Sequence, residues 1–479
     1  MIGNRNTEKF LPTWLFLPEY QKLVRIGIIV GVFIVSILIA VKSDLRLGIG
    51  FLGLIVAAVG ALLLLRKLTL GLIVIIIAAM LIPTPEVGGS GGYLVPPILM
   101  VILLLGLWLL SMLARYRRIK FVHSRTILPA LALVVITFIA FLNGRIVYTS
   151  FVQIAPLQAQ IGGVVVFLVS MGMFLLAANL IEDVVWLKRM VWIFIAFGGL
   201  YILGRITPFT ERIIRPFFQY GADSSMFWLW LVAMTSSQAL FNSQLSRRQR
   251  LALLGVLAST FFVSLVQWYS WKSGWLPAAV AFFVVIWLGI PRIRVIGIWL
   301  AIIFVALYFL GSTRQVITGG EDFSILTRSA AWMIILEIAK INPILGLGMS
   351  NYSWYTPLFP ILGYRGIHFN SHNNYIDILA QMGLIGLGIF LWLAFEIGRL
   401  GWELLKLVPA GFPRAYVIGV LGGLVGMLVS GMLGDWFLPF VYNVGLHGMR
   451  SSLIGWLFLG GLVALEEIYR NKTVEAQKG

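Results

Sequence analysis

Several uninterrupted apolar runs of about twenty residues constrain this chain more than any other feature. Leu45–Leu65, Leu94–Ala114 and Ile161–Ile181 are each long enough to cross ~30 Å of hydrocarbon as a helix. In lipid a segment must satisfy its own backbone polar groups, which leaves only helices or a closed barrel. Barrel strands alternate apolar and polar residues over short segments, and these runs do not. Composition agrees: 60% of the residues are hydrophobic and 11% are charged, where a soluble domain carries roughly a quarter charged. The sequence therefore predicts an all-α polytopic membrane protein.

The expected spans are Leu23–Val41, Leu45–Leu65, Leu68–Ile82, Leu94–Ala114, Ile127–Leu142, Ile161–Ile181 and Trp186–Leu203. They continue as Ser225–Phe241, Leu251–Val266, Trp275–Ile290, Val295–Leu310, Tyr375–Glu396, Ala415–Leu433 and Ser452–Leu465. Several are short, so about twelve to fourteen crossings are expected. Three regions follow: an N-terminal bundle over 1–310, a large loop over 311–374, and C-terminal spans over 375–479. No cleavable leader is expected, because residues up to Tyr20 are polar and aromatic. The chain has no cysteine, which excludes disulfides, thiolate catalysis and cysteine-ligated metals.

Charge orients the spans. With both termini in the cytoplasm, 24 of the 36 Lys and Arg residues fall on the inner side and 12 on the outer. The tight connections are the clearest: Arg66-Lys67, Arg247-Arg248-Gln249-Arg250, and Arg292 with Arg294. Excess Lys and Arg in short loops stays cytoplasmic, so the 311–374 loop is expected outside. The net charge of +18 is then mainly a topology signal with some attraction to anionic lipid. Nucleic-acid binding is not expected, since no basic soluble domain exists to carry it.

Function is therefore sought on the outer side, where Arg205, Arg212, Arg215, Lys272, Arg328 and three of the four histidines fall. Converging loops would make a basic cup suited to a lipid-linked phosphate or diphosphate, because guanidinium groups offer paired donors to phosphate oxygens. In the large loop the chain reads Thr327-Arg328-Ser329-Ala330-Ala331-Trp332, then Asn342-Pro343-Ile344-Leu345-Gly346-Leu347-Gly348, then Ser371-His372-Asn373-Asn374-Tyr375. A Gly-rich span with Gln381-Met382-Gly383 follows.

Arg-x-x-x-Trp, Asn-Pro with Gly-x-Gly, and His-Asn-x-Tyr over residues 320–390 resemble the O-antigen ligase and polymerase family. That resemblance implies a GT-C-like membrane glycosyltransferase of the bacterial inner membrane, metal-independent and without a cofactor. Its donor would be an undecaprenyl-diphosphate-linked glycan and its acceptor a glycan or the lipid A–core of lipopolysaccharide. It further implies that Arg328 binds the diphosphate and that His372 is catalytic, as the base for the acceptor hydroxyl. A Ser-Arg-Gly signature of the family corresponds here to Ser270-Trp271-Lys272-Ser273-Gly274, with Lys272 about where the arginine stands.

The residues support the chemistry in their own right. The apolar positions Ile325, Ala331, Trp332, Ile335 and Ile338 suit an interfacial helix over Ser324–Lys340 that holds Arg328 at headgroup depth. An imidazole with a pKa near 6.5 accepts a proton at neutral pH. Arg212 and Arg215 are further candidates for diphosphate binding, and Asn373, Tyr375, Asp435 and Trp436 for sugar or acceptor contact. His368 and His372 are four apart, yet metal binding is not expected from that spacing alone. Two other readings stay open: a polymerase of the same family, and a polysaccharide-lipid transporter or flippase. Coupled transporters place ionisable groups at the midplane, whereas these charges cluster at helix ends.

Overall fold

The computed structural model describes residues 67–82, 86–87, 92–93, 95–218, 224–293, 295 and 322–478. The expected spans Leu23–Val41 and Leu45–Leu65 lie outside the described residues, as does nearly all of Val295–Leu310. Every other expected span is a helix. The helices are α1 (Thr69–Leu81), α2 (Pro96–Tyr116), α3 (Ile127–Asn143), α4 (Leu157–Leu180), α5 (Val184–Gly204), α6 (Pro208–Phe218) and α7 (Ser225–Phe241). Then come α8 (Arg247–Phe262), α9 (Lys272–Gly289), α10 (Asp322–Ala339), α11 (Asn374–Leu407), α12 (Phe412–Leu433) and α13 (Met449–Lys478). Among the described residues, eight helices are long and apolar enough to cross a membrane. The only strands there are a two-residue hairpin in which Glu86 pairs with Tyr93. The chain is thus an all-α polytopic membrane protein.

The centre of the bundle is α7, whose Trp228 and Trp230 are fully buried. It packs against α9, α12, α8 and α13. Apolar attraction between helices is weak in lipid, so close packing through small residues takes over. A Cβ on Gly426 of α12 would lie 2.9 Å from Pro277 O of α9, and one on Gly460 of α13 would lie 2.2 Å from Phe174 O of α4. Neither backbone approach tolerates a larger side chain.

The charged residues separate to the two ends of this unit. At one end Arg125 pairs with Glu396 and Glu403, and Arg470 donates to His123 O. At the other end the connections after α3, α5, α8, α10 and α12 are tied together by hydrogen bonds and ring contacts. Residues expected on the outer side gather at this second end.

The α11 span departs from the expected continuous helix. Gly383 has φ +66° and ψ −168°, a break between a short helix from Asn374 and the long span that follows. The Asn342–Gly348 segment fills the break. Leu347 N–H and Gly348 N–H donate to Ala380 O and Gln381 O, while Leu384 N–H donates to Pro343 O. A Cβ on Gly348, whose φ is +88°, would fall 2.1 Å from Gly144 Cα. The Gly-x-Gly of the large loop is therefore a close-packing device that wedges open α11.

Candidate functional site

The site is built on a helix and a turn. Arg328 and Trp332 are four apart on α10 and so share one helix face. Trp332 Nε1–H donates to Ser371 O at 2.6 Å, and Arg328 Nη1–H donates to Leu433 O at 3.1 Å. The Arg-x-x-x-Trp pattern thus serves two jobs: the tryptophan anchors the histidine turn, and the arginine is held beside it. One face of α10 meets protein: Ala331 is buried, and Ile335 and Ile338 pack with Leu347, Tyr352, Ala380 and Phe440, leaving Met333 and Leu336 on the exposed face.

His372 itself has φ +48°, the left-handed region that a non-glycine residue occupies only when its surroundings insist. Those surroundings are visible. Its N–H donates to Asn370 Oδ1 at 3.2 Å. On one side Ser371 Oγ lies 2.6 Å from Asp377 Oδ1 and accepts the Asn373 N–H at 2.9 Å. On the other, Asn373 caps α11 by accepting from Tyr375 N–H and Ile376 N–H. Tyr352 OH donates to the same Asp377 oxygen at 2.5 Å, and burial with the Asp377 charge pushes that phenol well above its usual range, so it stays protonated. Asn374 Nδ2–H donates to Leu438 O at 2.6 Å, locking the turn to the connection after α12.

That connection supplies the group facing the imidazole. Asp435 is 1% exposed; its Oδ2 accepts the Phe440 N–H at 2.7 Å. Asn443 Nδ2 lies 2.9 Å from His372 Nδ1 and also bonds Asp435 Oδ1. Burial, then the Arg328 charge, lower the His372 pKa to about 4, so the ring is neutral at neutral pH. Burial raises the Asp435 pKa to about 6, which leaves it mostly ionised there.

Beside this group is an aromatic wall. An open cavity of about 480 Å³ is lined by Gln267, Trp268, Ser270, Trp271 and Trp436. Trp271 meets Trp436 edge-on with centroids 5.8 Å apart, and Trp436 follows Asp435 in the chain, so the wall adjoins the histidine group. A π-helical turn, Val263–Gln267, precedes the wall; such turns recur at functional sites. Lys272 stands at its edge, with Nζ 5.9 Å from the Tyr269 ring centroid. That ammonium is buried and has no hydrogen-bond partner among the described residues.

The remaining expected residues fall elsewhere or into structural work. Arg212 and Arg215 are exposed on α6, and none of their recorded contacts joins them to His372. The arginine of that region that reaches the wall is Arg205, 4.6 Å over the Trp268 ring and paired with Glu211 at 2.9 Å. Tyr375 OH donates to Leu428 O and Asn373 is the helix cap, so both hold the scaffold. Asp435 is too enclosed to touch sugar itself. His368 lies apart, with Nδ1 2.9 Å from Ser353 O and its ring edge-on to Trp354. Among the described residues no three His, Asp or Glu side chains cluster as metal ligands. Sequence reasoning missed Asn443, which carries no motif and lies 71 residues from His372, and it missed the Ser371–Asp377–Tyr352 bracket.

No curated protein matches the chain. Residues 245–391 match the family model described as O-Antigen ligase, and that stretch contains Lys272, the Trp268 and Trp271 wall, Arg328, Trp332 and His372. Over this segment the chain is similar to the O-antigen ligases.

Proposed function

We propose that the chain is a glycosyltransferase that moves a glycan from an undecaprenyl-diphosphate carrier to an acceptor hydroxyl. The observation that carries this reading is the meeting of Arg328 with a neutral, half-buried His372 at one end of a membrane bundle. In the reaction the acceptor oxygen bonds the anomeric carbon, the bond from that carbon to the diphosphate oxygen breaks, and the carrier departs as a diphosphate. Charge grows on the leaving group. Preorganised cations at that point supply the larger share of the acceleration, because a dry site strengthens each of them.

Arg328 suits that task through its forked donors. Lys272 adds a charge whose ammonium lacks a protein partner, and burying an unpaired cation is costly unless an anion arrives. The tryptophan wall takes the sugar: flat aromatic faces cover the C–H faces of a pyranose, and Gln267 and Ser270 present polar groups to hydroxyls. A cavity of about 480 Å³ lies within the ordinary range of ligand sites. The basic tight turns at the opposite end support an orientation with this site on the outer face of the bacterial inner membrane and both termini in the cytoplasm.

The test is donor binding. The purified protein in nanodiscs should retain an undecaprenyl-diphosphate glycan in preference to the same lipid as a neutral alcohol. Lys272→Met and Arg328→Gln should each weaken retention. Equal retention of the two lipids, or no effect of either substitution, overturns the diphosphate reading.

A further inference from the structure

The bare nitrogen of His372 is decided by Asn443, and hydrogen-bond accounting fixes which one it is. One terminal atom of the Asn443 amide faces two partners, Asp435 Oδ1 and His372 Nδ1. A carboxylate only accepts. The Asn443 atom between them is therefore the NH2 group, with one hydrogen for each partner. Were the amide turned, its carbonyl oxygen would confront the carboxylate, an acceptor against an acceptor.

With Nδ1 accepting from Asn443, a neutral imidazole carries its proton on Nε2. We infer that Asp435 and Asn443 are positioning residues that hold His372 as the Nε2–H tautomer, so that at rest it is a hydrogen-bond donor to the diphosphate rather than a base. This rests on the glycosyltransferase reading for its ligand but not for its geometry.

The charged and titratable groups around the ring are consistent with it. Arg328 approaches from α10 and disfavours a second positive charge on the imidazole. Asp435 faces Asn443 from the connection after α12, and its other oxygen is occupied by Phe440 N–H. Asp377 is held by hydrogen bonds from Ser371 and Tyr352. Among the described residues, no group bonded to the ring accepts a proton from Nδ1. His372 Nε2–H and Arg328 then form a pair of donors, a receptor for the anionic leaving group.

The proton balance closes without a protein base. The acceptor O–H proton passes to an oxygen of the departing diphosphate as the new glycosidic bond forms and the bond to the diphosphate oxygen breaks. The imidazole returns unchanged. Base catalysis by Nε2 instead requires a proton on Nδ1, a turned Asn443 amide, and a protonated Asp435 donating to that amide oxygen. Asp435 reaches that state only as pH falls through about 6.

Nitrogen-15 spectra of histidine-labelled protein read the tautomer directly, and only four histidines contribute. The His372 signals are assigned by their loss in His372→Gln. At neutral pH the wild type should show Nε2 protonated and Nδ1 bare; the opposite pattern overturns the inference whether or not any glycan is transferred. The isosteric exchange Asp435→Asn with Asn443→Asp keeps charge and shape but reverses the donor direction, so it should move the proton to Nδ1. An unchanged tautomer in that folded variant also overturns the inference. In a transfer assay His372→Gln, which keeps an amide donor but has no base, should stay within about tenfold of wild type. His372→Ala should fall by about 10²–10³-fold, the usual cost of one lost donor to a developing anion. Equal loss in Gln and Ala variants contradicts the donor role while leaving the glycosyltransferase reading intact.

Discussion

Replacing Arg328 by lysine isolates geometry from charge. In the structure the guanidinium already spends Nη1 on Leu433 O at 3.1 Å, and that bond aims the rest of the fork. A lysine ammonium carries its three donors on one nitrogen, so it cannot hold the carbonyl and also present two parallel N–H bonds to a phosphate. Net charge beside His372 is unchanged, so the imidazole stays neutral near pH 7. The loss is then one charge-assisted hydrogen bond, about 1.5–3 kcal/mol. That converts to about a 10- to 150-fold drop in kcat/KM. The assay is transfer from a defined lipid-diphosphate donor at saturating and limiting concentration, with wild type, Arg328→Lys and Arg328→Gln in parallel. The glutamine variant should lose more. It also removes the second cause of the low His372 pKa, which should rise from about 4 yet stay below 6.5 because burial persists. His372 then begins to protonate at higher pH, which nitrogen-15 spectra of the labelled ring read directly. Full activity in Arg328→Lys would refute the bidentate role, and an unmoved His372 titration in Arg328→Gln would refute the electrostatic link to His372.

Four other outcomes follow from the same geometry. Trp332→Phe should keep the fold but slow transfer, because Ser371 O loses its donor and the histidine turn its anchor; an unchanged rate removes that anchor from the account. Gly383→Ala should lower thermal stability markedly, since its backbone is in a glycine-only region at about 1–3 kcal/mol for other residues and the new Cβ would meet Ile344 O at 2.1 Å; an unshifted melting curve argues against the broken α11. Trp271→Ala should raise KM for glycan substrates more than it lowers kcat, whereas an effect on kcat alone would deny the wall a binding role. In this cysteine-free chain, a single cysteine at Tyr364 should label from outside the cell and one at Gln249 only from within, and reversed labelling would end the proposed orientation.

The architecture was legible because lipid imposes one pattern on any chain that crosses it. Ser225–Phe241 matches its expected bounds, and most other described spans differ by a few residues at their ends, though α11 and α13 run on to Leu407 and Lys478 beyond the expected Glu396 and Leu465. The exception is informative. Tyr375–Glu396 reads as one apolar run, but Gly383 breaks it, and hydropathy has no means of registering a backbone turn lined by another segment. The site was legible where a motif marks it. Arg328 and His372 do come together, and Lys272 stands beside an aromatic cavity. Asn443 was invisible because its importance lies in one contact across 71 residues, with no periodicity or spacing to announce it. The apolar stripe of α10 reads the same in sequence whether it meets lipid or, as here, the cluster around Tyr352. Asn373 and Tyr375 share the motif with His372 but hold the turn that presents it.

The central claim is that this chain forms a glycosidic bond at the expense of a lipid diphosphate at His372 and Arg328. Purified protein supplied with an undecaprenyl-diphosphate glycan and a hydroxyl acceptor tests it in one single-turnover experiment that counts both products. The account predicts one free undecaprenyl diphosphate for each new glycosidic bond, and both products formed about 10²–10³-fold more slowly in His372→Ala made in folded form. Carrier moved across the bilayer with its glycan still attached, or bond formation undiminished in His372→Ala, would contradict it.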